Sequence, residues 1–310
     1  MYKSYDAFCD AMKQSSIAPG NPMAQSLETA RSHQRAYLLA IGKLSPKPLV
    51  EVNDVKLASA RDEVCLRILR PDAVATRSKP MATVVLVRGG GWWSGTLDTH
   101  DRTAREIAVQ TGCPVCMVDY HHAPEAQFPT QRDQLISTLS WLHSSEAGHL
   151  GLNGRRSILF GESAGATLSL TASQYCRDTG LPQPLAMVLF YPNAAGPNDR
   201  SSKYSHWVWE QYLGSSYGDI SKPEAVPLMN AMNDLCPIWL GVGEDDPLLF
   251  DAHALHEKLT NAGVPCTYKR YPGLPHGFVG FSNAVKPAND ALMDACEAIR
   301  QFASSDSIQP

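Results

Sequence analysis

From about residue 80 onward, short apolar runs alternate with amphipathic stretches. The apolar runs lie at 81–87 (MATVVLV), 114–120 (PVCMVDY), 157–161 (SILFG), 185–191 (LAMVLFY), 237–243 (PIWLGVG) and 266–271 (CTYKRY). Short apolar runs of this kind mark strands buried on both faces, and such strands belong to a parallel sheet wrapped by helices. The stretches between them predict helices over 101–110, 130–143, 164–177, 251–261 and 286–302. Two earlier segments, 50–57 and 63–69, alternate like strands at a sheet edge.

Two regions break the alternation. Residues 1–44 are helical in composition but precede the sheet, and residues 194–235 are rich in Gly, Pro, Ser and aromatics. A long insertion after a strand is uncommon unless it is a lid or a binding element. The pair reads as one helical cap over the sheet's C-terminal edge. The chain is then a single domain, 1–310, with its core at 45–193 and 236–310.

Bulk properties narrow the partners. A formal net charge of −4 supplies no electrostatic reason to expect nucleic acid or an anionic membrane. The first residues, MYKSYDAFCDAMKQSS, carry no apolar core of a secretory signal, and no apolar run reaches membrane-span length. The default expectation is a cytoplasmic enzyme. The 8 cysteines lie mostly within apolar runs, as Cys65, Cys116 and Cys266 do, so buried thiols are expected. Cys113 and Cys116 form a C-x-x-C, but it opens a predicted strand, where residues three apart face opposite ways, and no second pair completes a zinc site. No metal and no cofactor are expected.

Residues 161–165 read G-E-S-A-G, between a predicted strand and a predicted helix. That context is the one a nucleophile elbow requires: a sharp turn holds Ser163 exposed, and flanking glycines relieve the crowding. A serine hydroxyl needs a base, and the base an orienting acid, in the chain order Ser, acid, His. Of the 10 histidines, His276 alone lies near the C-terminus just past a predicted strand, in YPGLPHGF. Upstream, a strand ends in Asp245-Asp246-Pro247. Asp246 is the choice over Asp245 as the acid, and a solvated turn residue or helix cap is the other reading of either. Negative charge built up on the carbonyl oxygen during acyl transfer is held by pre-aimed N–H donors. One is the amide of Ala164, and the others come from the run Gly89-Gly90-Gly91 after an earlier strand. Trp92 and Trp93 are expected to wall the pocket. Arg88, Gly89 and Glu162 join them as candidate substrate contacts.

Together these residues resemble the hormone-sensitive-lipase-like esterases of the α/β-hydrolase superfamily. That family carries H-G-G-G with an aromatic, Y-R-L-A-P-E, G-D-S-A-G-G, D-P-L and H-G-F. This chain reads RGGGW, YHHAPE, GESAGA, DPL and HGF in the same order, from about Met81 to the end. The resemblance implies an α/β-hydrolase fold with a helical cap, and Ser163, Asp246 and His276 as nucleophile, acid and base. It implies the amides of Gly90, Gly91 and Ala164 as the oxyanion hole.

The reaction expected is hydrolysis of short- to medium-chain or small aryl and alkyl esters. A lyase, cyclase, acyltransferase, or lactone or amide hydrolase on the same scaffold is the alternative. A non-catalytic ligand receptor is disfavoured because Ser, Asp and His are all present. The partner is a small-molecule ester, with neither nucleic acid nor a membrane span involved. A homodimer through an edge strand near the C-terminus stays open. Arg88 stands where the family has histidine. It reads first as a loop brace and second as a fork for an anionic substrate group.

Overall fold

The computed structural model describes residues 1–13, 18–59, 62–71, 82–217 and 224–305. Eight strands among them form one sheet: β1 (Glu51–Ala58), β2 (Glu63–Arg70), β3 (Thr83–Val87), β4 (Val115–Asp119), β5 (Ser157–Glu162), β6 (Ala186–Phe190), β7 (Ile238–Gly243) and β8 (Cys266–Tyr271). Their order is β1-β2-β4-β3-β5-β6-β7-β8. β2 pairs antiparallel with β1 and β4, and every other pairing is parallel.

β3, β5, β6 and β7 are buried at every position. Covered on both faces, they have no polar-out side, which is why they appear as unbroken apolar runs. The edge strands β1 and β8 alternate or expose much of their length instead.

The helices are α1 (Tyr5–Lys13), α2 (Leu27–Gly42), α3 (Leu97–Thr111), α4 (Thr130–Trp141), α5 (Ser145–His149), α6 (Ala164–Thr179), α7 (Lys203–Leu213), α8 (Leu249–Asn261) and α9 (Lys286–Ser304). α3 packs with α9, α4 with α6, and α8 lies along β7. This is the α/β-hydrolase architecture, a mostly parallel sheet between helices.

The differences from the sequence reading are local. α3 begins at Leu97 rather than at 101, because Thr96 and Thr99 exchange side-chain and backbone bonds in a capping box. α5 and α7 are additional helices, and α7 lies inside the segment read as an irregular insertion. Met81, expected to start a strand, lies outside the described residues, as do 14–17 and 218–223 of the expected cap.

The parallel order reverses direction at β3 and β5, since β4 lies on one side of the pair and β6 on the other. Crevices at such switch points, beyond the strands' carboxyl ends, are where open α/β sheets bind ligands. In register, Val87 of β3 faces Gly161 of β5, and Glu162 faces Phe190 of β6. The residues following these strands therefore emerge side by side: the glycine run, Ser163 and Tyr191.

Candidate active site

Ser163 sits between β5 and α6 with φ 52° and ψ −120°, a conformation side chains rarely tolerate. The surroundings hold it there. Its N–H donates to Phe190 O at 3.0 Å, and its carbonyl accepts from Thr167 N at 3.1 Å. The flanking glycines are steric necessities. A Cβ on Gly161 would lie 2.7 Å from Ser169 Oγ, and one on Gly165 only 2.0 Å from Val87 O. Glycine alone lets α6 start this close to the end of β3.

The Ser163 hydroxyl lies 2.9 Å from Nε2 of His276. Nδ1 of the same ring lies 2.9 Å from Asp246 Oδ2 and 3.1 Å from Oδ1. The Asp246 side chain is fully buried, and its Oδ1 also accepts from Leu248 N at 2.7 Å. Because the carboxylate only accepts, Nδ1 carries the proton and Nε2 of the neutral ring is left to accept from the serine. Asp245, the rejected neighbour, is exposed and donates its N–H to Leu274 O at 3.2 Å. All three residues selected in the sequence thus converge, from loops after β5, β7 and β8.

The glycine run closes over them. A Cβ on Gly89 would stand 3.5 Å from Ser163 Cβ, and Gly90 and Gly91 have φ of 116° and 57°. Gly90 O accepts from both the N–H and the hydroxyl of Ser94 at 3.0 Å, which folds the loop back on itself. Ala164 is the first residue of α6, so its N–H has no partner within the helix. Gly89, Gly90, Gly91, Ser163, Ala164 and His276 share the wall of one cavity of about 1020 Å³. Tyr37 and Leu38 of α2 and Tyr204 and Val208 of α7 form part of its far side.

Two expected substrate contacts are placed elsewhere. Arg88 is 1% exposed and does not line the cavity. Its fork donates to Ser94 O at 2.8 Å and Tyr120 O at 2.6 Å, its Nε lies 3.4 Å from Asp119, and its guanidinium stacks 3.9 Å from the Tyr120 ring centre. The Tyr120 hydroxyl returns a bond to Arg88 O at 2.9 Å. Every one of these contacts is internal: the bond to Ser94 closes the loop after β3 on itself, and those to Tyr120 and Asp119 reach across to the end of β4. Trp92 is also fully buried, stacked on Tyr212 at 4.2 Å and packed against Trp209 at 4.8 Å. It packs against α7 and does not line the cavity, and its φ is 62°. Trp93 does line the cavity and donates its indole N–H to the Tyr204 hydroxyl at 2.8 Å.

Glu162 lines the cavity too, although its carboxylate is paired internally with His100 and Tyr191. These two partners escaped the sequence reading. His100 belongs to no motif in the sequence, and Tyr191 ends the apolar run 185–191. Arg31 of α2 was missed as well. It grips Glu125 through two bonds of 2.7 Å and donates to Trp93 O at 2.7 Å and Ala123 O at 3.0 Å. Among the described residues no cluster of His, Cys, Asp and Glu is arranged to hold a metal ion, and no helix is long and apolar enough to cross a membrane.

Comparison with known proteins bears on the fold and the family. The family model described as "alpha/beta hydrolase fold" matches residues 84–280. The acetyl esterase of Salmonella paratyphi A is 31% identical over 280 residues, covering 84% of each chain. Among solved structures, a hyperthermophilic esterase from the archaeon Pyrobaculum calidifontis superposes with a TM-score of 0.87 at 24% identity, over 98% of this chain and 100% of that one. A thermostable carboxylesterase cloned from a metagenomic library gives 0.84 at 26% identity, over 91% and 99%. The fold, the matched family and the relatives agree: this chain belongs to the hormone-sensitive-lipase-like branch of the α/β hydrolases and is a carboxylesterase-type serine hydrolase.

Proposed function

We propose that the protein hydrolyses small carboxylic esters with short acyl groups, acetyl first among them, through Ser163, His276 and Asp246. The observation that carries the reading is the continuous line of bonds from Asp246 through both nitrogens of His276 to the Ser163 hydroxyl. Ser163 Oγ attacks the ester carbonyl while Nε2 of His276 takes its proton. Asp246 holds the ring's tautomer and orientation and stabilises the imidazolium. The amides of Gly90, Gly91 and Ala164 receive the oxyanion. As the tetrahedral intermediate collapses, His276 returns the proton to the departing alcohol. A water then enters, His276 deprotonates it, and the acyl-enzyme is cleaved to carboxylate and free serine.

α1, α2 and α7 act as a cap whose inner face shapes the pocket. Arg88 serves as the brace that keeps the glycine loop in place, and the reaction requires no cofactor. The acetyl esterase relative supports the short-acyl preference. A cavity of about 1020 Å³ is far larger than an acetyl group and leaves room for a bulky alcohol portion. A panel of p-nitrophenyl esters from acetyl to dodecanoyl tests this directly. The expected result is a kcat/KM maximum at two to four carbons (about that range, from how one methylene changes pocket affinity) with a steady fall beyond it. A maximum at the longest chains contradicts the short-acyl assignment.

A further inference from the structure

The carboxylate of Glu162 stands directly before the nucleophile and is 5% exposed, yet the steps above do not use it. A buried carboxylate is costly unless its oxygens are matched. Both are matched here. Oε1 lies 3.2 Å from Nε2 of His100, and Oε2 accepts the Tyr191 hydroxyl at 2.9 Å. Burial pushes the Glu162 carboxyl upward, but His100, Tyr191 and nearby His276 outweigh it and leave the group below its ordinary value. Burial, and then the charge of Glu162, push the Tyr191 phenol well above its usual value, so the hydroxyl keeps its proton and donates it.

Each partner leads to a different part of the machinery. His100, on α3, sits beneath the glycine loop, where a Cβ on Gly95 would be 3.2 Å from its Cε1. Its Nδ1 meets Thr99 Oγ1 at 2.9 Å and Thr96 O at 3.3 Å. Gly89 rests on Glu162 itself, since a Cβ there would be 3.3 Å from Glu162 Cγ. Tyr191 reaches the other way. Its hydroxyl accepts from Val279 N at 3.3 Å, in the loop that carries His276, and its ring meets the His276 ring edge-on at 4.8 Å. The titratable groups facing Glu162 are His100, Tyr191, Tyr120 and His276, and Asp246 faces Tyr191 and His276 from the loop after β7.

We infer that Glu162 is a positioning residue for acyl transfer: its buried charge ties the elbow, the glycine loop and the base loop together and stabilises the imidazolium that His276 becomes. The inference rests on the function proposed above. Fixed charges of this kind act strongly where water is excluded, because they need no reorganisation as charge develops.

The test compares wild type, Glu162→Gln, Tyr191→Phe and Ser163→Ala on p-nitrophenyl acetate across pH. Glu162→Gln keeps the shape and removes the charge. Its kcat is expected to fall about tenfold or more while KM stays within about twofold, the split that marks an interaction made only in the transition state. The acidic limb of its kcat/KM profile moves to lower pH, since losing a nearby negative charge disfavours imidazolium. A purely structural role would not move that limb, so an unmoved limb or an unchanged kcat overturns the inference. If Glu162→Gln does not fold, Tyr191→Phe decides: it cuts the tether to the base loop, and a wild-type kcat there overturns the inference equally. Turnover retained in Ser163→Ala would instead end the acyl-transfer reading itself.

Discussion

Residue by residue, the site is a set of side chains whose freedom has been removed. Asp246, fully buried, has one oxygen committed to Leu248 N and both within reach of His276 Nδ1. Asp246→Asn preserves that shape but presents an amide donor where Nδ1–H needs an acceptor, so the ring takes the wrong tautomer. By analogy with other triads kcat should drop by about 10⁴ with little change in thermal stability, as steady-state kinetics and calorimetry on one preparation would reveal. Arg88 is the converse case, structural despite its motif position. Arg88→Met strands two buried carbonyls, those of Ser94 and Tyr120, and should destabilise the protein by about 2–4 kcal/mol in urea unfolding. Activity on neutral and carboxylated esters should change in parallel, and a selective loss on carboxylated esters would return Arg88 to substrate recognition. The convergence of Ser163, Asp246 and His276 was legible because the three follow one another in chain order at strand ends. The partners of Arg88 were not, because backbone carbonyls 6 and 32 residues away leave no side-chain signature. For Trp92 the obstacle was its tertiary setting: it is buried on Trp209 and Tyr212 while its neighbour Trp93 lines the cavity, and adjacent tryptophans look alike in sequence.

At the level of elements, the loops after β3 and β4 behave as one unit. Arg88, His122 and the Arg31–Glu125 pair each cross between them or fasten α2 to them. His122 donates from Nε2 to Gly95 O at 2.7 Å. Burial first, and the Arg88 charge second, depress its imidazole from 6.5 to about 4. The folded state therefore refuses a proton that the unfolded chain accepts. The stability that neutral His122 contributes is complete above pH 6.5 and is lost as pH falls from there towards 4. His122→Gln keeps a donor for Gly95 O and should flatten that part of the profile, as urea midpoints between those two pH values would show. A mutant slope equal to wild type would mean that His122 titrates normally. The central strands were readable to within a residue or two because burial on both faces leaves an unbroken apolar run. α7 was hidden in its own composition: Trp209 and Tyr212 pack inward on Trp92, whereas Trp207 and Tyr204 turn to Trp93. Aromatics on several sides of one helix erase the amphipathic pattern that identifies helices in sequence.

Across the whole molecule, the sheet brings residues 89 to 276 of the chain to one crevice, and α2 and α7 roof it. The sheet and its switch point follow from strand order. The roof does not, since its seating depends on long-range contacts such as Asn283 to Ile41 O at 2.8 Å and the bidentate grip of Arg31 on Glu125. Residues of that roof and of the loops beneath it line the same cavity. The central claim is that Ser163 is the nucleophile, and covalent capture tests it most directly. Incubating the folded protein with a p-nitrophenyl alkylphosphonate should release one p-nitrophenolate per chain (about one, as a single activated nucleophile requires) and abolish turnover. Peptide mass spectrometry should place the adduct on Ser163, and Ser163→Ala should take up none. An active enzyme left unlabelled at Ser163, or an adduct on another residue that tracks the loss of activity, would contradict the account.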